Sequence, residues 1–433
     1  MATRRKKGAP SLRRREGYLW RSSREDFNGS GPNAGEKPGD VALGDRKGLV
    51  LAACSMGAGL IGFTNALIGP SLKFMAAEFG LSLWETGMLA SAVSFGYMFS
   101  FFGGLLSDRI GELNSILMAL ASLAILCLSV SSSGGFQACF TSLAFLGLSI
   151  GTINSTTTFL VARTYTSSRG WALNVLHAFF GVGALSGPTA AGWLLSSGSS
   201  WRAVYSTPVL LSIPAGLLAL AASARAKGGG ASSSKLDLRA LLVAKDPIFL
   251  LLALATFSHM GMAIGSTAWL PTYLMLHGGF DPKLAGLTIG LFWGCVGLGR
   301  LVLAKVPEGV GLERSLTIFA ISAGFLSWAG ISAKDPYATM ALWALSGLAF
   351  STTLPSVLAL LVREVPGATG SAMGLLFSIG MVGSIFSQWA IGFLGGLTSL
   401  SLSIHCVSLF AFAMGLIPLA MPLALGSKGK ALG

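Results

Sequence analysis

Between residues 48 and 425 the chain alternates long apolar runs with short polar breaks, and the runs show no period-two alternation. Twelve such runs can be drawn, at about 48–73, 84–106, 113–132, 136–162, 171–195, 203–223, 248–276, 283–306, 314–333, 337–361, 369–396 and 401–425. A hydrocarbon core of ~30 Å is crossed by about 20 helical residues, and backbone in lipid must satisfy its own hydrogen bonds as helix or closed barrel. Unbroken apolar runs without alternation select the helix. The stretch 224–247, which opens Ala-Arg-Ala-Lys-Gly-Gly-Gly-Ala-Ser-Ser-Ser-Lys, is the only long polar interruption and separates six runs from six. The pattern predicts an all-α membrane protein of twelve transmembrane helices. Two six-helix bundles over 48–223 and 248–425 would be joined by a cytoplasmic linker over 224–247 and followed by a short tail over 426–433.

Composition agrees. Of 433 residues 52% are hydrophobic and 11% charged, where a soluble domain has about 25% charged. The 58 glycines suit helices that must approach closely without a hydrophobic effect between them. Residues 1–47 are polar, with Arg4-Arg5-Lys6-Lys7 and Arg13-Arg14-Arg15, and predict a disordered basic tail. No apolar core follows this basic start, so it is not a secretory signal. Twelve spans with a cytoplasmic N-terminus put 26 of the 30 Lys and Arg on the inner side, leaving Lys73, Arg202, Lys283 and Lys334 outside. Both termini are therefore expected inside, in the plasma (inner) membrane, with an organellar membrane left open. That placement accounts for the +13 formal charge by the lipid bilayer and without nucleic acid. Five cysteines stand singly in apolar runs with no metal-ligand spacing, which predicts packing roles and no metal.

The halves resemble each other. A shift of 200 residues sets Gly147 on Gly347, Arg163 on Arg363, Gly170 on Gly370, Gly183 on Gly383 and Gly192 on Gly392. Two repeated bundles place a substrate site at their interface near mid-membrane.

At 104–111 the sequence Gly-Leu-Leu-Ser-Asp-Arg-Ile-Gly sets two opposite charges in a tight break between spans 2 and 3. The spacing Gly-x-x-x-Asp-Arg-x-Gly resembles the signature of the major facilitator superfamily, whose members are twelve-helix secondary transporters. Glu112, Leu113 and Asn114 stand where that signature ends in basic residues. The resemblance implies a gate between the bundles built from Gly104, Asp108, Arg109, Gly111, Arg163, Arg300 and Arg363, with Asp108 facing the start of span 11 at Gly370 and Ser371. In span 5, Gly183-Ala-Leu-Ser-Gly187-Pro188 resembles the Gly-x-x-x-Gly-Pro motif common among the superfamily's exchangers; small residues and one lost ladder bond make it a packing hinge. Gly62-Phe-Thr-Asn65, Asn174-Val-Leu-His177, Ser200-Trp201-Arg202, Gly265-Ser-Thr-Ala-Trp269-Leu-Pro271-Thr-Tyr273 and Phe292-Trp293 with Gly299-Arg300 resemble the fucose/glucose/galactose permease branch. Where that branch carries a membrane-embedded carboxylate, span 7 here has Ala263.

No Asp or Glu lies in the interior of any of the twelve runs; the acids beyond the tail stand at run ends or in loops. The titratable groups that remain inside are His177, His259 and His405. His177 and His259 are the candidates for proton coupling, and His405 is expected to pack. A neutral polar solute calls for amide and hydroxyl partners with aromatic faces, supplied by Asn65, Asn154, Asn174, His177, Trp269, Tyr273, Trp293, Thr352, Thr353 and Gln388. Asn154 and Gln388 could equally join helices. No catalytic triad, zinc-protease or nucleotide-binding motif is present, so neither an enzyme nor a cofactor is expected. The expectation is a monomeric carrier of a small polar, sugar-like solute, as uniporter or proton symporter, working by alternating access. An exchanger or exporter of organic anions or drugs, and a non-transporting sensor on the same fold, are the rivals.

Overall fold

The computed structural model describes residues 38–224, 243–365 and 370–431. Residues 1–37 of the disordered tail expected over 1–47, and most of the linker, 225–242, lie outside the described residues. Asp45–Gly433 forms one compact unit. Among the described residues eleven helices are long and apolar enough to cross a membrane, and a bent pair supplies the twelfth. Spans 1 to 6 are Lys47–Phe79, Leu83–Met98 with Phe101–Ile110, Glu112–Ser131, Phe136–Thr164, Arg169–Ser196 and Trp201–Ala224. Spans 7 to 12 are Pro247–His277, Pro282–Val302, Leu312–Ser332, Pro336–Glu364, Ala372–Leu397 and Leu400–Ala424.

Helix reaches further than the apolar pattern at both ends. The first helix begins at Pro38 and the last runs to Ala431, where the sequence suggested tails. Hydropathy marks where lipid stops, and a helix can continue past it. Span 1 breaks after Asn65 and resumes at Ile68: Pro70 brings no N–H and cannot extend the ladder of the helix before it. Span 2, read as one run, bends by 40° at Phe99–Ser100. A Cβ on Gly151 of span 4 would lie 2.5 Å from the Ser100 Cβ, so the two chains touch where the bend occurs.

Loop acids cap helices. Asp246, Asp281 and Asp335 each precede a proline at the helix start and accept from Ile248, Leu284 and Ala338 N–H at 2.7–2.8 Å. Ser82 and Glu85 form a capping box that opens span 2. Every one of these carboxylates sits at a span end, as the sequence pattern requires.

The repeat is visible in the packing. A Cβ on Gly147 would stand 2.0 Å from the Val93 carbonyl oxygen, and one on Gly347 2.2 Å from that of Phe292. Gly183 meets Gly59 O at 1.9 Å and Gly383 meets Phe257 O at 2.1 Å on the same measure. Gly192 and Gly392 approach Pro282 O at 2.3 Å and Leu83 O at 2.4 Å. The first two pairs close each bundle on itself, and the third joins one bundle to the other. Gly111 and Gly311, also 200 apart, turn the chain at φ 84° and 98°, a region L side chains avoid.

Candidate functional site

Among the described residues, the close packing between the bundles lies in one half of the molecule, the end where span 1 finishes. Span 5 meets span 8 there through Gly192 on Pro282 and Gly286 on Pro188. Span 1 meets span 7 through Thr272 Oγ1 donating to Gly69 O (3.2 Å) and Lys73 Nζ to Met275 O (3.3 Å). Span 2 meets span 11 through Gly87 and Gly392, and through a buried polar knot of Ser94, Ser384 and Gln388. Gln388 Nε2 donates to Ser94 Oγ (2.9 Å) and to Ser384 O (3.1 Å), and the two hydroxyls lie 2.7 Å apart.

At the other end, each basic residue of the repeat turns to its own bundle. Arg163 pairs with Glu112 at 2.5 Å, and Arg363 pairs with Glu313 and Glu364. Arg163 and Arg363 were expected between the bundles; a carboxylate fifty residues back in the same bundle captures each. Asp108 is half-buried and has no hydrogen bond or ion pair among the described residues, while Arg109 and Gly104 are exposed. Residues 366–369, which lead into the expected partner of Asp108, lie outside the described residues.

Several expected solute ligands are occupied by protein. Besides closing the polar knot, Gln388 accepts at its backbone oxygen from Trp269 Nε1 (2.8 Å), and both residues are fully buried. Trp293 Nε1 donates to Thr267 Oγ1 (2.9 Å) and Tyr273 OH to Ile331 O (3.2 Å). Asn154 Nδ2 donates to the Tyr97 hydroxyl (2.7 Å), joining spans 4 and 2. In the span 5 motif, Gly187 packs on Phe63 O and Pro188 offers its carbonyl face to Gly286 of the other bundle. It is a packing site, as its small residues suggest. His405 packs on Trp328, the ring centroids 4.1 Å apart and the planes tilted by 37°.

What remains comes from four spans. Asn65 stands half-buried at the break of span 1 with no hydrogen-bond partner among the described residues. Asn174 and His177, one turn apart in span 5, are accessible. His259 in span 7 is buried, its ring stacked on Phe350 of span 10 at 4.2 Å and 9°. Arg300 comes from span 8. Counting charges along the chain placed Arg300 with the inner loop, yet its neighbour Gly299 packs on Ser351 Oγ and Leu348 O, in the middle of span 10. His259 stacks on Phe350 and reaches Thr353, so Arg300 and His259 flank the same stretch of span 10.

Arg300 has no acidic partner. The ion pairs among the described residues are those of Arg163, Arg202 and Arg363. Its Nε is buried without a hydrogen bond, and so is the hydroxyl of Thr352 beside Ser351. Leaving a guanidinium unpaired inside a membrane protein costs several kcal/mol. A groove of about 540 Å³ lined by Leu185, Ser186, Thr189, Ala190, Trp193, Lys283 and Leu287 is almost wholly apolar and runs beside the span 5–span 8 contact, away from these groups.

The Major Facilitator Superfamily model matches residues 54–388. The chain belongs to that superfamily. This facilitator is 24% identical over 368 residues to the cis,cis-muconate transport protein of Acinetobacter baylyi, covering 81% of this chain and 88% of that one. It is 25% identical over 356 residues to an uncharacterised facilitator-type transporter of Yersinia pestis, covering 81% and 90%. Its fold is similar to that of a bacterial homologue of the human lysosomal transporter Spinster (TM-score 0.73, 14% identity, 90% of this chain and 99% of that one). It is also similar to the xylose transporter XylE from E. coli (TM-score 0.67, 13% identity, 86% and 97%). The facilitator is a multi-pass membrane transporter and not an enzyme.

Sequence reasoning missed two parts of this site. The depth of Arg300 was hidden because span 8 ends at Val302 and a charge near a helix end reads as loop. Ser94 and Ser384 were missed because serines in Gly-rich spans usually bond back to their own helix. The comparisons do not reach the fucose/glucose/galactose branch, and in the stretches that resemble it Trp269, Tyr273 and Trp293 bond to protein.

Proposed function

We propose that this facilitator carries an organic carboxylate anion by alternating access, with Arg300 as the group that receives the carboxylate. The observation that carries the reading is the Arg300 guanidinium of span 8, without an ion-pair partner among the described residues and with an unsatisfied Nε, next to Gly299 that packs on Ser351, the residue before the unsatisfied Thr352 hydroxyl. A planar fork of N–H donors suits a carboxylate, and supplying the missing anion offsets the cost of burying the charge. The similarity to a muconate transport protein supports the same reading. The bundles over 48–223 and 248–425 would rock about the Arg300 level, with both termini cytoplasmic in a plasma membrane and the protein a monomer. The described packing, closed at the end of span 1, then corresponds to closure on the outer side. A neutral sugar-like solute fits less well, because Gln388, Asn154, Trp269, Trp293 and Tyr273 are engaged with protein.

The test is uptake into proteoliposomes of radiolabelled carboxylates beside xylose and galactose, with Arg300→Gln as the control. Saturable carboxylate uptake that disappears in Arg300→Gln is expected. Sugar uptake without carboxylate uptake, or carboxylate uptake unchanged in the variant, would overturn the reading. Binding without flux would favour a sensor.

A further inference from the structure

The hydrogen-bond chain behind His259 fixes what the anion site can accept next to its cation. Thr353 Oγ1 donates its single proton to Phe350 O at 2.7 Å. The same oxygen lies 3.0 Å from His259 Nδ1, and with its proton committed it can only accept there. The proton of the neutral ring is therefore on Nδ1, and Nε2 carries a lone pair. No described protein group donates to Nε2, and it is not among the sealed, unsatisfied atoms. The ring lies flat on Phe350, and a 180° flip within that plane would forfeit the Nδ1 bond to Thr353, which keeps Nε2 as the nitrogen left for a ligand. Arg300 follows Gly299, which packs on Ser351, and the next residue, Thr352, has an unsatisfied hydroxyl, so both lie at the stretch of span 10 that holds His259.

We infer that His259 Nε2 is a fixed hydrogen-bond acceptor in the Arg300 site, so the preferred ligand is a monoanionic carboxylate that also carries a hydrogen-bond donor. Hydroxy acids and half-protonated dicarboxylic acids share that chemistry. This rests on the carboxylate reading and narrows it. A carboxylate alone would satisfy Arg300 and leave Nε2 facing nothing, whereas a second ionised carboxylate would set acceptor against acceptor. Sites built around a substrate donor discriminate strongly against analogues that lack it.

Binding of matched probes to the purified full-length protein at one neutral pH tests this. Succinamate and monomethyl succinate are near-isosteric monoanions with and without a donor, lactate and propionate repeat the comparison with a hydroxyl, and succinate supplies the dianion. The donor-bearing member of each pair is expected to bind at least about tenfold tighter, with succinamate also preferred over succinate. If lactate alone is preferred over its partner, the hydroxy-acid form is the ligand; if succinamate alone, the half-protonated dicarboxylate form.

His259→Phe should bring both ratios to within about threefold while propionate binding persists. Thr353→Val, which frees the imidazole to change tautomer, should also lower the ratios, and it guards against loss of fold in the first variant. Equal binding within both pairs by the unaltered protein, or ratios unchanged in both variants, would overturn the inference while leaving the carboxylate reading in place. Binding of all probes unchanged in Arg300→Gln, or of none to the unaltered protein, would overturn both.

Discussion

Gln388 of span 11 reaches across to Ser94 of span 2, Nε2 to Oγ at 2.9 Å, and both side chains are buried. The pair joins the two bundles at the end where all their described close contacts lie. Because Ser94 and Ser384 hydroxyls are 2.7 Å apart in the same knot, replacing both with cysteine should permit a disulfide across the bundles. Oxidised Ser94→Cys/Ser384→Cys protein should lose transport and regain it on reduction, with each single variant unaffected by oxidant. Persistence of transport in fully cross-linked protein would show that this contact need not open.

Removing the amide should be mild for folding and sharp for the conformational balance. Interhelical hydrogen bonds in membranes are worth about 0.6 kcal/mol on average, so Gln388→Leu should lower the melting temperature only slightly. Maleimide labelling of a single cysteine at Ser94, with the other cysteines removed, should rise several-fold as the closed end opens more often.

Arg300 offers a direct contrast between a structural and a functional charge. Arg300 is half-buried with a sealed, unbonded Nε, and replacing an unpaired, partly desolvated ion by an apolar residue of similar volume is neutral or stabilising. Arg300→Leu should therefore melt at the same temperature or higher while carboxylate transport is lost. Marked destabilisation would mean that the guanidinium has a structural partner. Arg300→Lys should recover little, because an ammonium cannot reproduce the bidentate fork.

The repeat-related ion pairs should matter little to stability. Arg163 with Glu112 and Arg363 with Glu313 have side-chain exposures of 45% and 14%, and 44% and 38%, and such pairs contribute about 0–1 kcal/mol. Arg163→Gln and Arg363→Gln should each shift the thermal midpoint by no more than a few degrees.

The glycine pairs separate packing within a bundle from packing between bundles. Gly183→Ala puts a methyl 1.9 Å from Gly59 O and should cost about 1–3 kcal/mol, seen as lower yield and melting temperature. Gly192→Ala meets Pro282 O of the other bundle at 2.3 Å. It should disturb closure more than folding, lowering transport while the melting temperature changes less than in Gly183→Ala.

The sequence by itself determined the twelve lipid-length helices, the division between two halves and the 200-residue repeat, because hydrophobic length and glycine spacing are local properties of the chain. Gly147, Gly183 and Gly192 and their partners aligned before their contacts were known, and each pair makes the same kind of close approach. That the carboxylates keep to the ends of the spans was equally plain, since it is a matter of residue type and position. What only the tertiary structure decided was the use of each polar group. Gln388, Asn154, Trp269 and Trp293 were candidates for a solute and bond to protein instead; Arg300, counted with the inner side and implied by the resemblance in a gate, has no ion-pair partner among the described residues; His259 finds its hydrogen-bond partner in Thr353, 94 residues away. A side chain's partners depend on which helices are neighbours and on how each is turned about its axis. Neither is encoded in hydropathy, which registers only that a helix lies in lipid.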